Sequence, residues 1–392
     1  MPEKLKIMIV TGEASGDLHG AKLVRAICET EPAVNFEFFG AAGHRLRDAG
    51  VEPVVDSDHF SIVGLAEIGR ALPMFLRAFR KLRRAAIERR PDAVVLVDFP
   101  DFNLKLAKSL KKQGLKIVYY ISPQFWAWRK YRAEIIRKYV DLMITILPFE
   151  KDWYARQGIA HVEYAGSPVA REVHADQTRE EFRSRHGLDS ARPVIALLAG
   201  SRHKEIARIL PPMLETAALM VKSAPEIQFV IPLAPTRSAS EVEAAKKQAG
   251  GISLPGILKV VTGQTYDAVK ASDAAAVTSG TATLETAILG TPMAIVYKTS
   301  AINYGLLRPL ISVEHFGLIN LIAGERLAKE FIQGDFTPAN LAEELFRLLE
   351  PDENLRMRQR LAEVTDTLGH GGASKRAAEA ILGLISGQNL DR

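Results

Sequence analysis

The chain has 392 residues, 47% hydrophobic and 25% charged, an ordinary globular composition and enough length for two cores rather than one. Its one cysteine, Cys28, excludes a disulfide within the chain and points to a reducing compartment. The net charge of +5 is mild, but residues 61–90 concentrate eight Arg/Lys against Glu67 and Glu88, a stripe suited to an anionic partner.

The first apolar run, Lys6–Val10, predicts a strand. Thr11-Gly12 interrupts it too early for a signal-peptide core, and no later segment approaches a membrane span. "TGEASGDLHG" (11–20) then leads into a helix. Two readings stay open for it: a tight turn capped by Ser15 or Asp17, or a loop whose free N–H groups bind an anion. It has neither the G-K-[ST] ending of a Walker loop nor the dinucleotide G-x-G-x-x-G. After a strand at Phe36–Phe39, Leu65, Ile68, Leu72, Phe75, Phe79 and Leu82 recur at helical spacing. Met74 and Leu76 widen that apolar side, and Arg70, Arg77, Arg80, Lys81, Arg83 and Arg84 fill much of the rest. A core-packed helix with a solvated basic face and a membrane-interface helix fit this pattern equally well. Nucleic acid fits it less, because no RNA or DNA module accompanies the patch.

The strand Ala93–Val97 delivers Asp98 and Asp101 around Pro100, with Asn103 just behind. Lys116–Ile121 leads to "SPQFWAWRKYR" (122–132). There Trp126, Trp128 and Arg129 favour a binding loop over an aromatic core plug, since rings stack on sugars and cations meet phosphate. Past a strand at Leu142–Ile146, the polar segment 166–192 marks a domain boundary. Val194–Leu198 ends in Gly200-Ser201-Arg202, where an arginine fork suits a phosphate. Strands at Gln228–Leu233 and Ala274–Val277 precede "TSGTATLETAILGTPMAIV" (278–296), which ends in the strand Met293–Tyr297. Ser279, Gly280 and Thr281 open a helix whose dipole favours a diphosphate, and Glu285, a turn further in, is placed to hold a ribose diol.

Apolar strands alternating with helices predict parallel sheets: an α/β protein of two Rossmann-like doubly wound domains facing a cleft, with ligands beyond the strands' carboxyl ends. No histidine pair lies within i+4 and no cysteine pair exists, so a metal centre is not predicted. A serine hydrolase lacks its G-x-S-x-G elbow.

Taken together, "GEASGD", "DFPDFN", "SPQFWAWR", "LPFEKDWY", "GSRHKEI", "SGTATLE" and "GLINLIAGE" stand in the order and approximate spacing of the lipid-A-disaccharide synthases, which the chain resembles from residue 6 to its closing helices. The resemblance implies a GT-B glycosyltransferase. Residues 1–168 form the acceptor- and membrane-facing domain, residues 169–370 bind the UDP-sugar, and a helix within 371–392 crosses back to the first domain. It implies transfer of a diacylated glucosamine from UDP to the 6-hydroxyl of diacylglucosamine 1-phosphate, with inversion. No metal or other cofactor is required, and the setting is cytoplasmic, peripheral to the inner membrane. Asp98 is then the expected base and Asp101 a loop organiser or acceptor ligand. Arg202 stabilises the leaving diphosphate, while Glu205 and Asn320 belong to the donor site. Glu13 and Ser15 touch the transferred sugar or the acceptor. The chain departs from the family in having Ser167 where a histidine is usual, Ala199 where a proline precedes Gly-Ser-Arg, and Ile319 in place of the Leu-Pro-Asn proline. Serine replaces a hydrogen bond there but not a cation. Two alternatives remain: another GT-B UDP-sugar enzyme, such as a UDP-N-acetylglucosamine epimerase or transferase, and a non-catalytic nucleotide-binding protein at a membrane surface.

Overall fold

The computed structural model describes residues 4–60, 68–126, 132–300, 304, 314–369 and 371–387. The chain divides into two compact units, Met1–Pro168 with Gly371–Arg392, and Val169–His370.

In the first unit the strands are β1 (Lys4–Val10), β2 (Asn35–Ala42), β3 (Glu52–Asp56), β4 (Ala93–Val97), β5 (Ile117–Tyr120), β6 (Leu142–Thr145) and β7 (Val162–Tyr164). Between them run α1 (Ala14–Thr30), α2 (His44–Asp48), α3 (Ile68–Arg89), α4 (Pro100–Lys111), α5 (Ala133–Tyr139) and α6 (Pro148–Arg156). All pairings are parallel, in the order β3-β2-β1-β4-β5-β6-β7.

The second unit opens with α7 (Val169–Glu172) and α8 (Arg179–Arg185). Its strands are β8 (Val194–Leu198), β9 (Gln228–Leu233), β10 (Leu258–Thr262), β11 (Ala274–Thr278), β12 (Met293–Tyr297) and β13 (Glu330–Ile332). Its helices continue with α9 (His203–Ser223), α10 (Ala239–Gln248), α11 (Thr265–Lys270), α12 (Thr281–Ile288), α13 (Leu318–Ala323), α14 (Pro338–Leu349) and α15 (Pro351–Asp366). This sheet is also parallel, ordered β10-β9-β8-β11-β12-β13.

The last helix, α16 (Ala373–Ser386), belongs to the first unit. Ala377, Ala378 and Ile381 enter the same core as Leu5, Ile7, Leu23 and Ile27, and Lys116 Nζ donates to Leu384 O at 3.0 Å and Ile385 O at 3.1 Å. Each fully buried aliphatic side chain there stabilises the docking by roughly 1.5–3 kcal/mol.

Each sheet is built outward from its first strand and then restarts on that strand's other side, so the order reverses between β1 and β4 and between β8 and β11. At such a reversal the flanking helices diverge and leave a crevice at the carboxyl ends, the usual ligand position. Register aligns those ends: Val10 lies beside Leu96, and Leu198 beside Val277.

The basic segment resolves into two apolar groups. Ala78, Leu82 and Ala86 are buried, whereas Leu72 is 56% exposed and Leu76 47% exposed, so Leu72 does not share the core-facing stripe assigned to it. Leu65, Ile68 and Arg70 fall outside the residues whose side chains are described.

Candidate active site

β4 is apolar and fully buried, and the chain turns off its end through two consecutive left-handed residues, Asp98 (φ 46°) and Phe99 (φ 52°). Non-glycine residues rarely adopt this conformation, which costs on the order of 1–3 kcal/mol each and persists only where the surroundings enforce it. Here the main chain of Asp98 is pinned three ways. Its N–H donates to Tyr120 O at 3.0 Å, and its carbonyl accepts from Tyr119 Oη at 2.6 Å and Asn103 Nδ2 at 2.8 Å. Pro100 then starts α4 immediately, so the turn cannot relax into a longer loop. The Asp98 carboxyl is pushed up to about 6 by burial and by the Glu13 carboxylate, with a hydrogen bond from Phe99 N–H opposing. Such a group is ionised at neutral pH yet more basic than an ordinary aspartate, the property a general base requires.

Glu13 and Ser15 are exposed at the start of α1, which follows the other strand of the reversal, and Glu13 is near enough to raise the Asp98 carboxyl. Gly12 has no substitute at its position, because a Cβ there would lie 2.3 Å from the Phe99 ring. Neither proposed cap of the loop operates. The N-cap of α1 is Glu13, which makes no side-chain cap bond. Asp17, almost fully buried, instead accepts from Gly43 N at 2.8 Å and Arg45 N at 2.9 Å, holding the start of α2.

Two residues expected to meet substrate are buried in the framework. Asn103 is fully buried, and its Nδ2 also donates to Val97 O at 3.2 Å, so it positions Asp98 rather than touching an acceptor. Trp126 is buried, with Nε1 donating to Glu150 Oε1 at 3.1 Å and its ring edge-on to Phe149; this is the core plug, not the stacking platform. Glu150 is pushed up to about 7 by burial, while the N–H groups of Leu147, Trp126 and Ile146 oppose the rise. Asp101 is exposed and paired with Arg132 at 2.6 Å, an organising contact beside the site. Arg129 and Trp128 lie outside the described residues. Ser167 is buried, and its hydroxyl has no hydrogen-bond partner among the described residues.

In the second unit, Gly200 (φ 108°) lets the chain leave β8 sharply, and a Cβ there would meet Glu205 Oε2 at 2.5 Å. Glu205 accepts from Ser201 N and Arg202 N, both at 3.2 Å, and from Arg202 Nη1 at 3.1 Å. It therefore caps α9 and aims the loop. Arg202 remains 83% exposed. Across the reversal, Ser279 donates through Oγ to Phe316 O at 2.7 Å, and Gly280 is the N-cap of α12 with Thr281 exposed behind it. Glu285 sits one turn in, accepting from Tyr266 Oη at 3.4 Å; burial raises its carboxyl while that bond opposes. Asn320 is fully buried. It donates to Ala328 O at 2.7 Å and Glu330 Oε1 at 2.9 Å and accepts from Ala328 N at 2.8 Å, so it braces the segment after α13 rather than lining the donor site.

Sequence reasoning missed Tyr119 and Tyr266. Tyr119 reads as one more apolar strand residue, and only the register that sets it beside Leu96 brings its hydroxyl to the Asp98 carbonyl. Among the described residues Asp17, His44 and Asp58 place ligand atoms within 4.8 Å of one another. Backbone N–H groups and Arg47 already engage both carboxylates.

The profile of the family described as lipid-A-disaccharide synthetase matches residues 7–383. Lipid-A-disaccharide synthases from Trichlorobacter lovleyi and Syntrophus aciditrophicus are each 43% identical over 97% of both chains. The UDP-GlcNAc 2-epimerase from Neisseria meningitidis, solved with UDP-GlcNAc bound, superposes with a TM-score of 0.60 at 15% identity over 97% of this chain and 99% of that one. A glycosyltransferase from Rickettsia africae gives 0.58 at 12% identity, over 99% and 100%. These structural likenesses identify the GT-B fold, which epimerases and transferases share.

Proposed function

The chain belongs to the lipid-A-disaccharide synthetase family, and from that premise we propose how its two loop clusters divide the reaction. The substrates are UDP-2,3-diacylglucosamine and 2,3-diacylglucosamine 1-phosphate. The products are the β-1,6 disaccharide 1-phosphate and UDP. Asp98 takes the proton of the acceptor 6-hydroxyl as the oxygen attacks the anomeric carbon from the face opposite UDP, which inverts the centre. A base in this position contributes typically about 10²–10⁴ in rate. Glu13 keeps the Asp98 carboxyl proton-hungry and, with Ser15, meets the sugar hydroxyls.

The second unit holds the donor. Arg202 and the N–H groups at Gly280 and Thr281 receive the diphosphate charge that grows as UDP leaves. Glu285 holds the ribose diol and Ser279 shapes the turn. Arg129 belongs to the first unit and is assigned there to a substrate phosphate. The observation carrying the reading is the coincidence of both clusters with the two sheet reversals, one cluster built around a carboxylate of raised proton affinity and the other around an arginine and a helix start. The fold alone would equally suit an epimerase. The family match over residues 7–383 favours the synthase.

The setting we propose is the cytoplasmic face of the inner membrane. Leu72 and Leu76 stand exposed one helical turn apart on α3, among exposed Arg77, Arg80, Lys81, Arg83 and Arg84. That combination dips into a headgroup layer while its cations meet anionic lipid. Among the described residues no helix is long and apolar enough to cross a membrane. The decisive test incubates purified protein with both diacylated substrates and follows UDP. Release must depend on both substrates, and its absence would overturn the assignment.

A further inference from the structure

The second unit carries a pocket of about 350 Å³ on the other edge of its sheet, against the amino ends of β8 and β11 rather than the carboxyl ends that bear Arg202 and Gly280. Its floor is Pro193 and Asp273, the residues just before those two strands. One wall is apolar: Leu349, Pro351 and Leu355 at the junction of α14 and α15.

The charge of this pocket is unbalanced. Arg179, Arg183, Arg192 and Arg358 line it with Asp273 as the one carboxylate, so four positive charges less one negative leave three. Both oxygens of Asp273 are occupied: Oδ2 accepts from Arg183 Nη2 at 2.7 Å and Val194 N at 2.8 Å, and Oδ1 pairs with Arg179. Arg183 is buried, and it also donates to the carbonyls of Ala271, Ser190 and Arg192 at 2.9–3.2 Å. Arg192 leans outward to Asp189 at 3.1 Å, with half its side chain exposed.

Arg358 is the telling residue. It is half-buried, and its guanidinium donates to neutral acceptors: Asn354 Oδ1 at 2.7 Å, Gly290 O at 2.5 Å and Asp273 O at 3.4 Å. Burial and then Arg179 push its proton affinity down, with Asp273 opposing in part. A half-buried cation held by neutral groups amid three more cations is destabilised unless an anion joins them.

We propose that this pocket is a binding site for a phosphomonoester. The dianionic phosphate is contacted by Arg192 and Arg358, with the charge of Arg179 and Arg183 behind it on Asp273, and the organic part lies on the Leu349, Pro351 and Leu355 wall. The volume exceeds what inorganic phosphate alone fills and falls at the small end of ordinary ligand pockets. The ester has two possible sources, a free phosphorylated metabolite or the headgroup of a phosphomonoester lipid.

The test titrates the full chain calorimetrically with phenyl phosphate, at constant ionic strength and with UDP saturating so that the diphosphate site is occupied. A parallel arm uses vesicles containing phosphatidic acid in phosphatidylcholine. We expect one saturable site per chain. Arg192→Gln, whose half-exposed side chain can be replaced without unfolding the unit, should weaken it at least about tenfold, the loss of one charge-assisted pair. Arg358→Lys, which keeps the charge and removes the fork, should also weaken it. Binding in the phenyl phosphate arm identifies a soluble ester, and Arg192-dependent binding confined to vesicles identifies a lipid. No saturable binding in either arm, or binding indifferent to both substitutions, overturns the proposal.

Discussion

Replacing Asp98 with asparagine should make the protein more stable and inactive at once, and the two effects should part company with pH. The carboxyl is raised from 3.8 to about 6 in the folded protein, chiefly by burial and then by Glu13. A raised acid is favoured in its protonated form. Its contribution to stability is therefore fully present below pH 3.8, falls as pH rises through about 6, and is absent above. Two pKa units correspond to about 3 kcal/mol, and because Asp98 is only half-buried, solvent screening reduces this to about 1–2 kcal/mol. Asparagine keeps the shape and cannot ionise. Asp98→Asn should thus gain about 1–2 kcal/mol at pH 8 and almost nothing at pH 3, while turnover falls by about 10²-fold or more. All three tryptophans, Trp126, Trp128 and Trp153, lie in the first unit, so tryptophan fluorescence in urea reports the unfolding of that unit at each pH. In the unsubstituted protein kcat/KM should rise with pH through about 6 as the base ionises. A pH-independent stability change, or activity retained in Asp98→Asn, would refute both the electrostatic account and the choice of base.

Three further outcomes follow from the same geometry. Tyr119→Phe removes the 2.6 Å bond to the Asp98 carbonyl and should lower kcat about tenfold with KM nearly unchanged, at a stability cost of about 1 kcal/mol; steady-state kinetics giving an unchanged kcat would release Tyr119 from its positioning role. Gly12→Ala places a methyl 2.3 Å from the Phe99 ring and should shift the urea midpoint by the equivalent of about 1–3 kcal/mol while lowering kcat; an unaltered midpoint would contradict the close approach. Changing Leu72 and Leu76 together to serine should weaken co-sedimentation with anionic liposomes by about tenfold or more, with the thermal midpoint unchanged because both side chains are exposed; undiminished binding would favour a plain solvated basic helix.

The interior of both sheets could be read from the chain by itself. The strands Ala93–Val97, Val194–Leu198, Gln228–Leu233 and Met293–Tyr297 have the predicted bounds, because a strand buried on both faces must be apolar throughout. The unrecognised strands, β3, β7, β10 and β13, are the ones at the sheet edges. Their sequences, EPVVD, VEY, LKVVT and EFI, mix charges with short apolar runs, as a strand with one neighbour and partial exposure permits. The neighbourhood of the site was legible for a related reason. A charge or a small polar residue directly after an apolar strand marks a carboxyl end, and carboxyl ends are where ligands bind.

Only the tertiary structure divided the residues found there into those that face outward and those that hold the frame. Asn103, Trp126, Glu205 and Asn320 are polar or aromatic residues near the strand ends or in the quoted motifs, yet each makes hydrogen bonds to its own framework. Tyr119 has no such signal and still sets the Asp98 backbone, through a strand register that links residues 21 positions apart. The DFPDFN stretch divides in the same way. Composition and order located two aspartates at one strand tip, but burial and the neighbouring Glu13 made Asp98 the basic one, while Asp101 is exposed and paired with Arg132. Hydrophobic period is a local property of the chain and survives in the sequence. Proton affinity depends on what the fold packs around a group, and that is decided only in three dimensions.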